Sequence, residues 1–148
     1  MRRNFSQYFL ISVLSLLAVA GAFKTAAGEE ASVHAGSEWK APARAAKKQN
    51  PVPLDANSVA QGKAVYIREC LSCHGNSGRG DGPQAKDLEK SPGNLTNAEM
   101  MNPHTDGDLF WKITEGNKPM PSYKKTLSDD ERWQVVHYIR GLASKKGD

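Results

Sequence analysis

With 148 residues, of which 39% are hydrophobic and 24% charged, the chain has room for one domain and its appendages. Its net charge of +4 arises within residues 1–54, where seven basic side chains meet three acidic ones; from Asp55 onward the signs balance at thirteen each. A balanced domain excludes the basic footprint of a nucleic-acid binder.

Residues 1–23 open with Arg2 and Arg3 and continue as an uncharged apolar run through Leu10, Ile11, Val13, Leu14, Leu16, Leu17 and Val19. That is the pattern of an export signal, with Ala18 and Ala20 at the small positions before a cleavage point; Ala27 offers a second one. The run is also close to membrane-span length, so an uncleaved signal anchor is the alternative. Residues 24–57 are rich in Ala, Lys, Glu and Pro without apolar periodicity, and read as an extended linker whose docking points are Trp39 and residues 50–54.

The domain then occupies residues 58–148. Ser58 and Gln61 have the spacing of a capping box, and a first helix follows through Val59, Gly62, Val65 and Tyr66 into Cys70. Residues 75–83 are almost pure turn chemistry, but no strand precedes them and no Lys-Ser/Thr follows, so they do not make a phosphate-binding loop. A helical turn within Gln84 to Lys90 is followed by a break at Ser91-Pro92-Gly93-Asn94. A middle helix runs from Asp106 or Gly107 to about Glu115 with Leu109, Phe110 and Ile113 as its buried stripe, capped by Thr105 or Asp106 and stopped by Gly116. Prolines make residues 117–123 a loop. Ser128 and Glu131 form a second capping box for a last helix, whose residues Val135, Tyr138, Ile139 and Leu142 share a face flanked by Trp133 and Val136. The expectation is an all-α domain with a helix at each end and long irregular loops between.

The stretch that carries chemistry is Cys70-Leu71-Ser72-Cys73-His74. In an exported chain, C-x-x-C-H is the spacing of covalent c-type haem attachment: two thiols on one turn each add to a vinyl group, and the next residue delivers an axial imidazole. A disulfide would leave His74 unexplained. A thioredoxin-like pair needs a βαβ context, and a zinc site would have to recruit the scattered His34, His104 and His137. The haem also accounts for a domain with few aliphatic residues, because it supplies an apolar body for Leu88, Leu95, Leu109, Phe110, Ile113 and Val136 to close around.

The opposite axial position has Met100, Met101, Met120, His104 and His137 as candidates. Met120 is favoured, since Pro119 and Pro121 hold it in a rigid loop and a thioether favours ferrous iron. A gap-filling methionine is the alternative.

The C-x-x-C-H motif, Gly62 and Tyr66 before it, Gly80-Asp81-Gly82-Pro83, Met120-Pro121 and the last helix together resemble class I c-type cytochromes, in particular monohaem subunits of bacterial respiratory complexes. The resemblance implies a fold in which the first and last helices cross, with Gly62 facing Tyr138, and loops and short helices enclose the haem. It implies one haem c on Cys70 and Cys73, iron ligation by His74 and Met120, and Pro83 as the carbonyl that accepts the other His74 ring N–H. Asn94, Trp111 and Tyr123 are the implied propionate contacts. The corresponding activity is single-electron transfer between respiratory redox partners in the periplasm, by a soluble or membrane-anchored carrier. A tethered subunit of a larger complex and a haem enzyme such as a peroxidase are the rivals. Lys118, Lys124, Lys125 and Lys112 would form a basic rim for an acidic partner.

Overall fold

A computed structural model of the protein describes residues 39–144; the signal or anchor read in residues 1–23, linker residues 24–38 and the last four residues lie outside that range. Among the described residues the architecture is all-α: α1 (Ala43–Ala46), α2 (Ala56–Glu69), α3 (Leu71–His74), a 3-10 turn (Ala85–Asp87), α4 (Ala98–Met101), α5 (Asp106–Glu115) and α6 (Asp129–Ser144). No described helix is long and apolar enough to cross a membrane.

The cap of α2 lies one turn earlier than the sequence suggested. Asp55 accepts the Ser58 amide at 2.7 Å and Ser58 Oγ accepts the Asp55 amide at 3.1 Å, so Ser58 is the reciprocal partner rather than the cap. The bond from the Ser58 amide holds the Asp55 carboxyl below its usual range. The Ser128–Glu131 box on α6 forms as read, and Thr105, one of the two caps expected for α5, forms a box with Asp108 that the sequence reading did not name.

The first and last helices do cross, and α2 packs along α6. At the crossing Gly62 faces the backbone of Gln134 and Val135, not Tyr138. Tyr138 instead meets Tyr66, the next residue of that α2 face, with ring centroids 5.1 Å apart. On the other side of α6, Phe110 of α5 stacks on Trp133 at 4.0 Å. Among the described residues thirteen form the core cluster, including Val65, Tyr66, Leu109, Phe110, Ile113, Val135, Val136 and Ile139.

Residues 39–54 are not an extended linker over their whole length. They lie across α5 and α6 as a strap. Ala46 O accepts the Thr105 hydroxyl, the Asn50 amide donates to Trp133 O at 3.0 Å, and Val52 O lies 2.8 Å from His137 Nε2. Lys112 sits over the Trp39 ring, and Ala45 is buried. His137 is covered by this strap and only 8% exposed. The closest approach is at Gly107, where a Cβ would stand 2.1 Å from Ala45 O. Gly107→Ala is therefore expected to lift the strap, costing about 1–3 kcal/mol and opening residues 39–54 to limited proteolysis, while the haem stays attached.

Glu131 supplies a pH-dependent part of this stability. Its carboxylate accepts the Ser128 amide at 2.9 Å and pairs with Arg68, and the Ser128 bond leads in holding its pKa below the ordinary value. A depressed folded pKa contributes stability above the unfolded value near 4.5, and that contribution fades as pH falls through the folded value. Glu131→Gln should thus flatten the acid limb of stability against pH in denaturant titrations from neutral pH to pH 3 (about the lower end of the carboxylate range).

Candidate haem site

Cys70 terminates α2, and its carbonyl accepts the amides of Cys73 and His74 at 3.2 and 2.9 Å. Both sulfurs and the imidazole therefore rise from one turn of backbone. Two tyrosines grip that turn at its ends: Tyr66 donates to Gly75 O and Tyr123 to Glu69 O, each at 2.7 Å. The glycine-rich loop folds back along the motif, with the amides of Gly80, Gly82 and Gln84 donating to the carbonyls of His74, Cys73 and Ser72. Its turn residues serve this close return of the backbone.

His74 Nδ1 lies 3.3 Å from Gly93 O. This corrects the acceptor implied for Pro83. The loop between the motif and Pro92 turns back so that Gly93, the residue after a different proline, comes beside the imidazole; Pro83 is exposed and lies outside this contact. With Nδ1–H donated to Gly93, Nε2 keeps its lone pair for a metal. Burial lowers the His74 pKa, opposed by the Gly93 bond, which suits a neutral ligand.

The cysteines fit thioether formation better than thiolate chemistry. Burial first, then the neighbouring Glu69 and Cys73, push the Cys70 thiol up to about 12. A zinc ligand or redox nucleophile needs the opposite shift, whereas a sulfur alkylated by a vinyl group carries no charge and suits an apolar setting. Cys70 and Cys73 are not joined to each other as a disulfide, and among the described residues no three His, Cys, Asp or Glu side chains gather as a metal site.

Met120 packs against the core from the loop between α5 and α6. Asn117 and Met120 exchange both backbone hydrogen bonds, at 3.0 and 2.9 Å, so backbone pairing adds to the two prolines in fixing the loop. A cleft of about 640 Å³ opens beside it, lined by Asp87, Leu88, Glu89, Lys90, Lys118 and Pro119. The other axial candidates are engaged elsewhere. Met101 is a core residue, Met100 is half exposed with its methyl near Gly93, Lys112 contacts both ring nitrogens of His104, and the strap covers His137.

Of the implied propionate contacts, Tyr123 gives its only hydroxyl proton to Glu69 O, and Asn94 Oδ1 accepts from Thr96. Lys112 belongs to the strap side rather than to the Met120 loop, and Lys124 pairs with Glu115 at 3.5 Å. Sequence reading did not find Gly93, the tyrosine grip on the motif, or the buried Arg132. Only the turn signal at Pro92-Gly93 could have pointed to the first of them.

An all-α domain that delivers C-x-x-C-H from a single turn defines a monohaem class I c-type cytochrome. The sequence model described as cytochrome c oxidase, cbb3-type, subunit III matches residues 57–139, and the chain belongs to that family. It is 29% identical over 90 residues to cytochrome c6 of Synechocystis, covering 61% of this chain and 70% of that protein. To the cbb3-type cytochrome c oxidase subunit CcoP of Azospirillum it is 30% identical over 98 residues, which cover 66% of this chain and 33% of CcoP. A chain of the reducing HAO-like protein complex of Kuenenia stuttgartiensis superposes with a TM-score of 0.58 at 36% identity, covering 64% of this chain and 47% of that one. The chain thus spans about a third of CcoP and about half of the Kuenenia chain. One haem c is attached through Cys70 and Cys73, and the protein is an electron carrier. The family match begins at residue 57, after the strap.

Proposed function

We propose that this protein is an exported, periplasmic single-electron carrier whose haem iron is held by His74 and Met120 and which exchanges electrons with respiratory redox proteins. The observation that carries the reading is the state of the five axial candidates. Met120 stands in a doubly fixed loop beside the cleft, while Met100, Met101, His104 and His137 have other contacts. The bound haem supplies a one-electron ferric/ferrous couple. The chain's own part is to orient the imidazole through Gly93, to keep the thioether in place in both oxidation states, and to exclude water with the surrounding core.

With both axial sites filled no coordination position is left for a substrate, which favours a carrier over a peroxidase. The resemblance to CcoP and to a chain of the Kuenenia complex supports a second form of the same reading, a haem subunit working inside a larger assembly. The test is the spectrum of the oxidised protein. A weak sulfur-to-iron band in the far red with slow cyanide binding is expected; no band with fast, tight cyanide binding would establish the enzyme instead. Lys118 lines the cleft together with Lys90 and is the one that lies in the Met120 loop, where it would steer an acidic partner. Lys118→Glu should slow second-order reduction by an anionic donor at low ionic strength by about threefold or more and have little effect at high salt, where the field is screened.

A further inference from the structure

Arg132 is 4% exposed, and nothing in haem attachment accounts for a buried guanidinium. Its Nη1 donates to Thr114 Oγ1 at 2.9 Å, its Nε to Ser128 O at 3.4 Å, its Nη2 to Asp129, and its Cζ lies 4.9 Å from the Phe110 ring centroid. Asp129 is on the solvent side, so the charge is compensated at the rim while the inner nitrogen reaches the last turn of α5. Thr114 has both its polar groups engaged there. Its hydroxyl accepts from Arg132 and donates to Phe110 O at 2.7 Å, and its carbonyl accepts the Ser122 hydroxyl at 2.7 Å.

Those bonds sit at the base of the loop that carries Met120. The loop leaves α5 at Gly116, where an added Cβ would be 2.5 Å from Pro121, and returns with Ser122 on Thr114 O and the Tyr123 amide on Ile113 O. We propose that Arg132, Thr114 and Ser122 are positioning residues for Met120: they lock the first turn of α6 to the last turn of α5 and so hold the base of the ligand loop closed. This rests on Met120 being the axial ligand.

Burying a cation is costly, and an apolar side chain could fill the same space. A planar fork of donors is useful when one point must be fixed to several others, and here it ties Thr114, Ser128 and Asp129 across the two helices. Freed of that tie, the loop would still fold over the core but would open more often.

An open loop yields the sixth position to an added ligand, so the probe is imidazole titrated into the oxidised full-length holoprotein, with the far-red band as a second readout. Thr114→Val, which keeps shape and removes the hydroxyl, and Arg132→Lys, which keeps charge and loses the fork, should each raise imidazole affinity about tenfold, with Thr114→Ser restoring it to within about twofold of wild type. Val135→Ala truncates a fully buried residue of the same helix on the side of α2; it should lower the unfolding midpoint yet leave imidazole affinity unchanged. Wild-type affinity in Thr114→Val, or an equal rise in Val135→Ala, would overturn the proposal. Absence of the far-red band from the wild-type protein would instead overturn Met120 ligation itself, which separates the two failures.

Discussion

Met120→Ala is expected to abolish the far-red band, to lower the reduction potential by on the order of 0.1 V, and to open the ferric iron to cyanide and imidazole. The potential falls because a thioether stabilises ferrous iron, and its replacement by water or an added nitrogen ligand removes that preference; axial ligands command a range of about 0.8 V. The fold should survive, since Met120 only borders the core and its loop is held by backbone bonds to Asn117. Met100→Ala is the control. Met100 is half exposed, on α4 with its methyl near Gly93, so its removal should leave the band intact. A band lost in Met100→Ala and kept in Met120→Ala would reverse the ligand assignment.

Gly62→Ala should have the largest effect on stability. In a helix, alanine for glycine is ordinarily favourable by about 0.5–1 kcal/mol. At Gly62 the new methyl would stand 2.0 Å from Gln134 O and 2.5 Å from its carbon, and these are backbone atoms of a packed helix that cannot rotate aside. Sterics must win. A destabilisation of about 3 kcal/mol is expected, because α2 and α6 have to separate along their length. Gly141→Ala supplies the opposite case: it lies in α6 with nothing within 4 Å of the added carbon, so it should stabilise by about 0.5–1 kcal/mol. Denaturant midpoints that shift in opposite directions for the two variants would separate the crossing from glycine substitution in general.

The parts of this molecule that could be read in its sequence are those in which spacing is the physical requirement. Cys70, Cys73 and His74 share one turn because the motif is that turn, and the box at Ser128 is a local pair three residues apart. The stripe of α5 was legible for the same reason. The strap was not. Residues 39–54 dock through carbonyls of Ala46 and Val52 and the amide of Asn50, groups that leave no hydrophobic period in the sequence. The burial of His137 and Arg132 was not legible either, because α6 is covered on more than the one side its apolar face announced. The acceptor for His74 depended on how residues 75–93 close in three dimensions. A carry-over by sequence position pointed to Pro83, whereas the returning chain presents Gly93.

Mass spectrometry of the denatured, reduced protein, read beside its colour after extraction with acidified organic solvent, tests the central claim most directly. Two thioether bonds predict that the mass of one haem stays on the peptide containing Cys70 and Cys73 and that the organic phase stays colourless. Colour passing into the solvent, with both cysteines recovered as alkylatable thiols, would contradict it.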